Sequence, residues 1–335
     1  MKIKCFSTHK FEQKYLTHWA DELDLKVEYI ETSLNKDTVE LAQGFDCISC
    51  WASDTLDKNV LTKLKNFGVK LISLRSAGYS HIDLAHAQKI GLMVTRVPSY
   101  SPEAIAEHTV GLLLCLNRKY MKAFQRVKDF NFTLDGLEGL TLFGKTVGVI
   151  GTGKIGSAFA RIMKGFGCKI LLYDIHKDNE LEKELKASYV NELKDLLSQS
   201  DIVSLHCPLN ESTRYVINSK TIDFLKPTAF LLNTGRGALI DTSALVAKLK
   251  KNELRGVGLD VYEHEEDVFF YDHSEKGISD ESLLRLMSFT NVLVTSHQGF
   301  FTKEALENIA RISLENILHY KTRTEIPKEN LLTTQ

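Results

Sequence analysis

Three sets of residues in this chain have the types and spacing to do chemistry together. The first is a glycine turn. In "KTVGVIGTGKIGSAFARIMKGFG", Gly151, Gly153 and Gly156 form G-x-G-x-x-G between an apolar run and a helical pattern. Gly151 permits a tight turn, Gly153 lets backbone approach a pyrophosphate, and Gly156 lets helix and strand pack closely. Thr152, Lys154 and Ile155 complete the turn, whose unpaired N–H groups and positive helix end suit phosphates. The bare pattern is common; its context carries the meaning. The next strand-like run, "KILLYD", ends on Asp174, where a carboxylate would bond the ribose hydroxyls of NAD and repel the 2′-phosphate of NADP. His176 and Lys177 follow and would tolerate a phosphate, so the pattern favours NAD without barring NADP.

The second set is one residue, Arg236, in "AFLLNTGRGALID". A permanent cation stands at the carboxyl end of an apolar strand, between Gly235 and Gly237. Open α/β sheets bind ligands at that edge. A planar guanidinium there can hold a carboxylate through two parallel hydrogen bonds, which lysine cannot imitate. The bland alternative is an arginine paired with a neighbouring acid.

The third set is a histidine with an acid. His297 closes "VLVTSHQGF", and an acidic run with Glu263, Glu265, Glu266 and Asp267 follows "GVGLDV". A glutamate bonded to the histidine would favour and orient an imidazolium. Reduction of a ketone needs such a donor, because oxygen must gain a proton as carbon gains a hydride. Spacing does not choose between Glu263 and Glu265.

These residues need a parallel sheet to bring them to one edge. Over the first hundred residues, strand-like runs at 3–7, 26–31, 46–52, 70–76 and 92–97 alternate with helical patterns. A single long helix is expected over 101–129, opened by Ser101, Pro102 and Glu103. Six more strand runs follow, at 146–151, 169–174, 201–207, 229–234, 256–261 and 291–298, enough for a complete dinucleotide-binding unit. The helical "TKEALENIARISLENILHY" comes too late to belong to that unit. The expected class is α/β, with two doubly wound parallel-sheet domains.

Composition excludes other classes. Among 335 residues, 42 basic and 43 acidic side chains leave a net charge of −1, so no global field draws the chain to nucleic acid or to anionic membranes. No run approaches the roughly 18 apolar residues of a membrane span, and the N-terminus lacks a signal-peptide core, so a cytoplasmic location is expected. Cys47 and Cys50 form a C-x-x-C inside a strand-like run with no second ligand pair, which reads as core packing. No ligand cluster suggests a metal.

The order of glycine turn, Asp174, Arg236, Glu265 and His297 resembles the D-isomer-specific 2-hydroxyacid dehydrogenases. The resemblance runs over nearly the whole chain through "RVPSYSPEAIAEHTVGLLLCLNR", "FGKTVGVIGTGKIG", "DIVSLHCPL", "NTGRGALID", "LDVYEHE" and "SHQGFFTKEAL". Those motifs are most similar to the fermentative, NAD-dependent D-lactate dehydrogenases of that family. The resemblance implies Arg236 as carboxylate binder, His297 as acid and base, and Glu265 as its partner. Tyr100, Ala77 and Gly78 would lie on the substrate's carboxylate side, and Phe300 would wall the pocket. Asp260 would meet the nicotinamide amide, Cys207 and Pro208 would line the adenosine side, and Thr234 would join the cofactor contacts. It implies a Rossmann NAD domain at 101–299 inserted in a flavodoxin-like substrate domain at 1–100 plus 300–335, with closure about the two crossings. The implied reaction interconverts pyruvate with NADH and D-lactate with NAD; a larger 2-keto acid is the alternative substrate. A homodimer paired around 101–145, or a homotetramer, is implied too. Gly235 and Gly299 depart from that pattern, and the latter reads as added backbone freedom beside His297.

Overall fold

The computed structural model of the chain describes residues 1–266 and 268–333. Asp267 of the acidic run and the last two positions of the expected substrate domain lie outside the described residues. The chain divides into two compact units, Met1–Ser101 with Phe301–Gln335, and Pro102–Phe300.

In the first unit, five short strands, β1 (Ile3–Cys5), β2 (Val27–Tyr29), β3 (Cys47–Cys50), β4 (Leu71–Leu74) and β5 (Met93–Thr95), form one parallel sheet in the order β2-β1-β3-β4-β5. That is the flavodoxin-like order, with its reversal between β1 and β3. The central strands β1, β3 and β4 are buried at every position, because helices cover both faces. Helices Lys58–Asn66 and Leu84–Lys89 close one face over Ile48, Ile72 and Val94. Helix Lys10–Glu22 closes the other, together with the late helix Lys303–Thr322, whose Ala310, Leu314 and Ile317 pack on Ile3 and Leu71. Thr302 caps that helix by accepting from the Ala305 N–H. Cys47 and Cys50 are buried in β3, and burial pushes both thiols well above their ordinary range.

Past the end of β4, Arg75 is 1% exposed and meets Glu12 through two 3.0 Å hydrogen bonds, from Nε and Nη2. Nη1 donates to Ser49 Oγ at 3.0 Å and Nη2 to the Phe6 carbonyl at 2.8 Å. Burial opposes this cation, yet Glu12 outweighs it and holds the guanidinium above its ordinary range. The pair ties helix Lys10–Glu22 to the edge from which the Ser76–Gly78 loop departs.

In the second unit, β6 (Thr146–Ile150), β7 (Lys169–Tyr173), β8 (Ser188–Tyr189), β9 (Ile202–Leu205), β10 (Phe230–Asn233), β11 (Gly256–Leu259) and β12 (Val292–Val294) make a parallel sheet ordered β12-β11-β10-β9-β6-β7-β8. Six of these are the expected strands. The two-residue β8 is additional, too short to show any alternation in sequence. Phe159, Met163, Ala106 and Val110 fill one face of the sheet; Leu196, Leu197, Leu245 and Leu283 fill the other.

The single helix expected over 101–129 is two. Pro102–Arg118 ends where Lys119 takes a left-handed conformation (φ 52°), and Tyr120–Lys128 begins beyond it. A left-handed residue cannot continue a right-handed helix, and the amphipathic period runs on through it unmarked. Among the described residues, no helix is long and apolar enough to cross a membrane.

Glu12→Leu would leave Arg75 charged and unpaired in the first unit's interior. The expected loss is about 3–5 kcal/mol of stability, read as a lower denaturation midpoint in urea.

Candidate active site

All seven strands of the second sheet run the same way, so the loops after them leave from one edge. The strand order reverses between β6 and β9, the switch point at which such sheets bind ligands. Gly151 follows β6 with φ +92°, and a Cβ there would lie 2.4 Å from the Cys207 nitrogen. A Cβ on Gly156 would lie 1.9 Å from the Gly151 oxygen. Both glycines are therefore required by close backbone approach. Gly153 differs: nothing lies within 4 Å of an added Cβ. It caps helix Lys154–Gly165, whose first turn has no side-chain cap and so presents its N–H groups outward. An open cradle at an uncapped helix start fits a dinucleotide pyrophosphate.

Asp174, one residue past β7, accepts from the Thr152 N–H at 2.6 Å and the His176 N–H at 2.9 Å. Thr152 Oγ1 also lies 2.9 Å from Tyr189 Oη, so β8 helps to hold the turn. Lys177 donates to Asn191 Oδ1 at 2.8 Å, turned toward β8's end. Cys207 is half-buried, its thiol pushed up to about 11 by burial, and Pro208 is exposed. Thr234 is buried, with its hydroxyl 2.8 Å from that of Thr109 on helix Pro102–Arg118.

Arg236, Glu265 and His297 follow β10, β11 and β12, three neighbours in the sheet. Adjacent strands lie about 4.8 Å apart, so their carboxyl ends bring the three segments within a side chain's reach of one another. Asn233 fixes the Arg236 turn: its Nδ2 donates to the Arg236 carbonyl at 2.9 Å and its Oδ1 accepts from Gly235 N–H at 3.1 Å. Gly237 fixes it from the other side, since a Cβ there would lie 2.0 Å from the Tyr262 carbonyl carbon. Arg236 itself is half-buried and donates through Nη1 to the Gly235 carbonyl at 2.7 Å. Among the described residues no carboxylate forms an ion pair with it. The guanidinium keeps donors for an incoming anion.

The two glutamates that spacing left open have different partners. Glu265 Oε1 lies 2.7 Å from His297 Nδ1, and Oε2 accepts from the Tyr262 N–H at 2.8 Å. Glu263 accepts a short hydrogen bond from Tyr215 Oη and a 3.2 Å bond from the Thr242 N–H. Burial opposes the Glu263 charge, but the Tyr215 and Thr242 donors hold its carboxyl below the usual range. The Nδ1 contact leaves His297 Nε2 as the nitrogen that can exchange a proton with a bound molecule. The ring of Phe270 flanks it, 6.0 Å between centroids.

Asp260 is 1% exposed and accepts from Thr295 Oγ1 at 2.5 Å, Gln298 N–H at 2.9 Å and Gly299 N–H at 2.7 Å. Gly299 is therefore tethered, not free: an added Cβ would sit 3.0 Å from Asp260 Oδ2, which corrects the reading of it as a point of backbone freedom. Phe300 is buried at the end of the unit. In the first unit, Ser76 Oγ donates to the Gly78 carbonyl at 2.7 Å and Arg96 Nη1 to the Ala77 carbonyl at 3.3 Å, shaping the loop after β4. Tyr100 follows β5, its carbonyl accepting from Asn308 Nδ2 at 2.8 Å. Asn233, Tyr262, Tyr215, Thr295 and Phe270 carried no readable signal in sequence, because each acts through a tertiary neighbour.

A doubly wound sheet with an open glycine cradle beside a histidine–carboxylate pair is the plan of a nicotinamide-dependent dehydrogenase. Residues 110–299 match the family model described as D-isomer specific 2-hydroxyacid dehydrogenase, NAD binding domain. The chain is 44% identical over 332 residues to a 2-hydroxyacid dehydrogenase homolog of Haemophilus influenzae, covering 99% of both chains. It is 41% identical to the D-lactate dehydrogenase of Escherichia coli over 329 residues, covering 98% of this chain and 99% of that one. Its fold superposes with a TM-score of 0.91 on a solved structure of the pyruvate reductase of Chlamydomonas reinhardtii, 40% identical and covering 98% of both chains. The chain belongs to the D-isomer-specific 2-hydroxyacid dehydrogenases. It is an NAD-dependent oxidoreductase of that family.

Two glycine variants separate folding from binding. Gly153→Ala should keep the native thermal midpoint but weaken NADH by about tenfold or more, about 1.4 kcal/mol, by fluorescence titration. Gly156→Ala should lower the thermal midpoint as well, because its methyl meets the Gly151 carbonyl.

Proposed function

We propose that the chain interconverts pyruvate and D-lactate. NADH, when bound, supplies the hydride that reaches C2 of the keto acid. Arg236 grips the substrate carboxylate through its guanidinium fork. His297 gives the proton from Nε2 to the keto oxygen, and Glu265 steadies the imidazolium through Nδ1. In the reverse direction Nε2 takes the hydroxyl proton. Ala77, Gly78 and Tyr100 serve the carboxylate side of the substrate, and Phe300 walls the pocket. On the cofactor, the turn Gly151–Gly156 takes the pyrophosphate, Asp174 the ribose, Cys207 and Pro208 the adenosine side, and Thr234 and Asp260 the nicotinamide end.

The observation that carries this reading is the 2.7 Å contact between His297 Nδ1, on the segment after β12, and Glu265, on the segment after the neighbouring β11. Orientation and preorganised charge of this kind supply most of the acceleration in such reactions. The substrate choice is supported by relatives described as D-lactate dehydrogenase and pyruvate reductase. We place the enzyme in the cytosol, consistent with free cysteines throughout the described chain.

We also propose a homodimer as the working unit. Helix Tyr120–Lys128 buries none of its residues, and Met121, Phe124 and Val127 share one exposed face at i, i+3, i+6 spacing. Phe130, Phe132 and Leu134 continue the apolar exposure. A second copy would cover that surface, which water does not reward.

Purified enzyme should oxidise NADH with pyruvate faster than with 2-ketoisocaproate or phenylpyruvate, and the product should be D-lactate by stereospecific assay. Preference for a bulkier acid would replace the substrate and leave the chemistry. Arg236→Lys should raise KM strongly, whereas His297→Gln and Glu265→Gln should mainly lower kcat, by about 10²–10⁴-fold. An Arg236→Lys enzyme with the wild-type KM would remove the anchor role. Phe124→Asp with Val127→Asp should halve the mass in light scattering.

A further inference from the structure

We infer that His108, on helix Pro102–Arg118, is a positioning residue for this reaction, donating to the Asp260 carboxylate that holds the turn carrying His297. The inference rests on the proposed role of His297 and extends it to a residue two elements away.

Asp260 binds three consecutive amides. Its carbonyl accepts from His297 N–H at 2.7 Å, and its carboxylate from Gln298 and Gly299 N–H at 2.9 and 2.7 Å. Those bonds hold His297 in the left-handed region, φ 53°, which a residue with a Cβ occupies at a cost of about 1 kcal/mol or more. Such a conformation persists only while its surroundings enforce it. The enforcing group is a nearly buried carboxylate, and it must stay ionised to accept on both oxygens.

His108 sits on its open side. Nε2 lies 3.2 Å from Asp260 Oδ1 and 3.2 Å from Thr295 Oγ1. Thr295 gives its own hydrogen to Oδ1, so its oxygen faces His108 as an acceptor. Nε2 thus has an acceptor on each side and must carry a hydrogen, whether the ring is neutral or charged. The ring is 19% exposed, and its Cδ2 would lie 3.5 Å from a Cβ on Gly299. A side chain at position 299 would wedge into this cluster.

The other charged groups near this edge have separate partners. His297 from β12 turns its ring to Glu265, which follows β11, and Arg236 after β10 donates to the Gly235 carbonyl. Burial opposes the Asp260 charge, but the His108 and Thr295 donors prevail and hold the carboxyl below its ordinary range. Removing either donor raises that value. The carboxylate then protonates earlier as pH falls, one oxygen becomes a donor, and the His297 turn loosens. Pyruvate reduction consumes a proton, so acid alone does not starve it; the part of an acid limb that moves when His108 or Thr295 loses its donor reports Asp260.

The test is kcat and KM for 2-keto acid reduction between about pH 8 and 4.5 in wild type, His108→Leu, Thr295→Val and His108→Gln. In His108→Leu and Thr295→Val the acid limb of kcat should rise by about one to two pH units, with KM little changed. His108→Gln, which restores an N–H donor, should follow wild type. A His108→Leu profile overlaying wild type, or a His108→Gln shift equal to that of His108→Leu, overturns the inference. Thermal unfolding gives a readout free of turnover. The depressed Asp260 value stabilises the fold above the unfolded carboxyl range and is lost as pH falls. The His108→Leu deficit should therefore be full at about pH 7 and shrink below about pH 5; a constant deficit also overturns the inference. A wild type that reduces no 2-keto acid would overturn the proposed reaction, and the unfolding comparison would still decide the role of His108.

Discussion

Asp260 is the point on which the second unit's active edge depends. It is the first residue past β11, and its own N–H donates to the Asn233 carbonyl at 2.9 Å. Its carbonyl and carboxylate take the three amides that begin at His297. One residue therefore joins the ends of β10, β11 and β12. A side chain on a loop is placed no better than its backbone, and a misplacement of 1 Å can cost a large factor in rate. Here the backbone is pinned from both neighbouring strands.

Charge is distributed along this edge with little cancellation at the points that would meet substrate. Glu263 is satisfied by Tyr215 and Thr242, and Asp260 by four donors. Glu265 is shared between the His297 ring and a backbone N–H. Arg236 forms no ion pair among the described residues and keeps free donors, on a turn fixed by Asn233 and by the close approach of Gly237 to Tyr262. An anion arriving there meets a cation whose position has been set in advance, which is what makes such a contact effective in a low-dielectric site. The glycine turn obeys the same rule: Gly151 and Gly156 are crowded by backbone, and only Gly153 faces open space.

Much of this architecture is legible in the residues themselves. Short, near-continuous apolar runs mark the strands and a period of 3.6 between them marks the helices, and the late helix is visibly outside the dinucleotide unit. The glycine turn is legible because glycine is demanded by sterics that any sequence must respect. The break at Lys119 is not, since one left-handed residue leaves the apolar period intact. Neither is β8, whose two residues hold the turn through Tyr189.

The sequence by itself determined the kinds of groups available: a phosphate cradle, one arginine at a strand end, a histidine and a run of acids. It determined the parallel fold that sends them to one edge, because apolar strands separated by helices have few other ways to bury their surface. Only the tertiary structure decided which acid does what. Glu263 and Glu265 share a loop and a composition, and they part company because Tyr215 arrives from one side and His297 from the other. The same holds for His108, one of eleven histidines and unremarked on its helix, which acquires meaning when Asp260 and Thr295 close around it. Hydrogen bonds act over about 3 Å, and residues far apart in the chain come within that range only after the strands have taken their order.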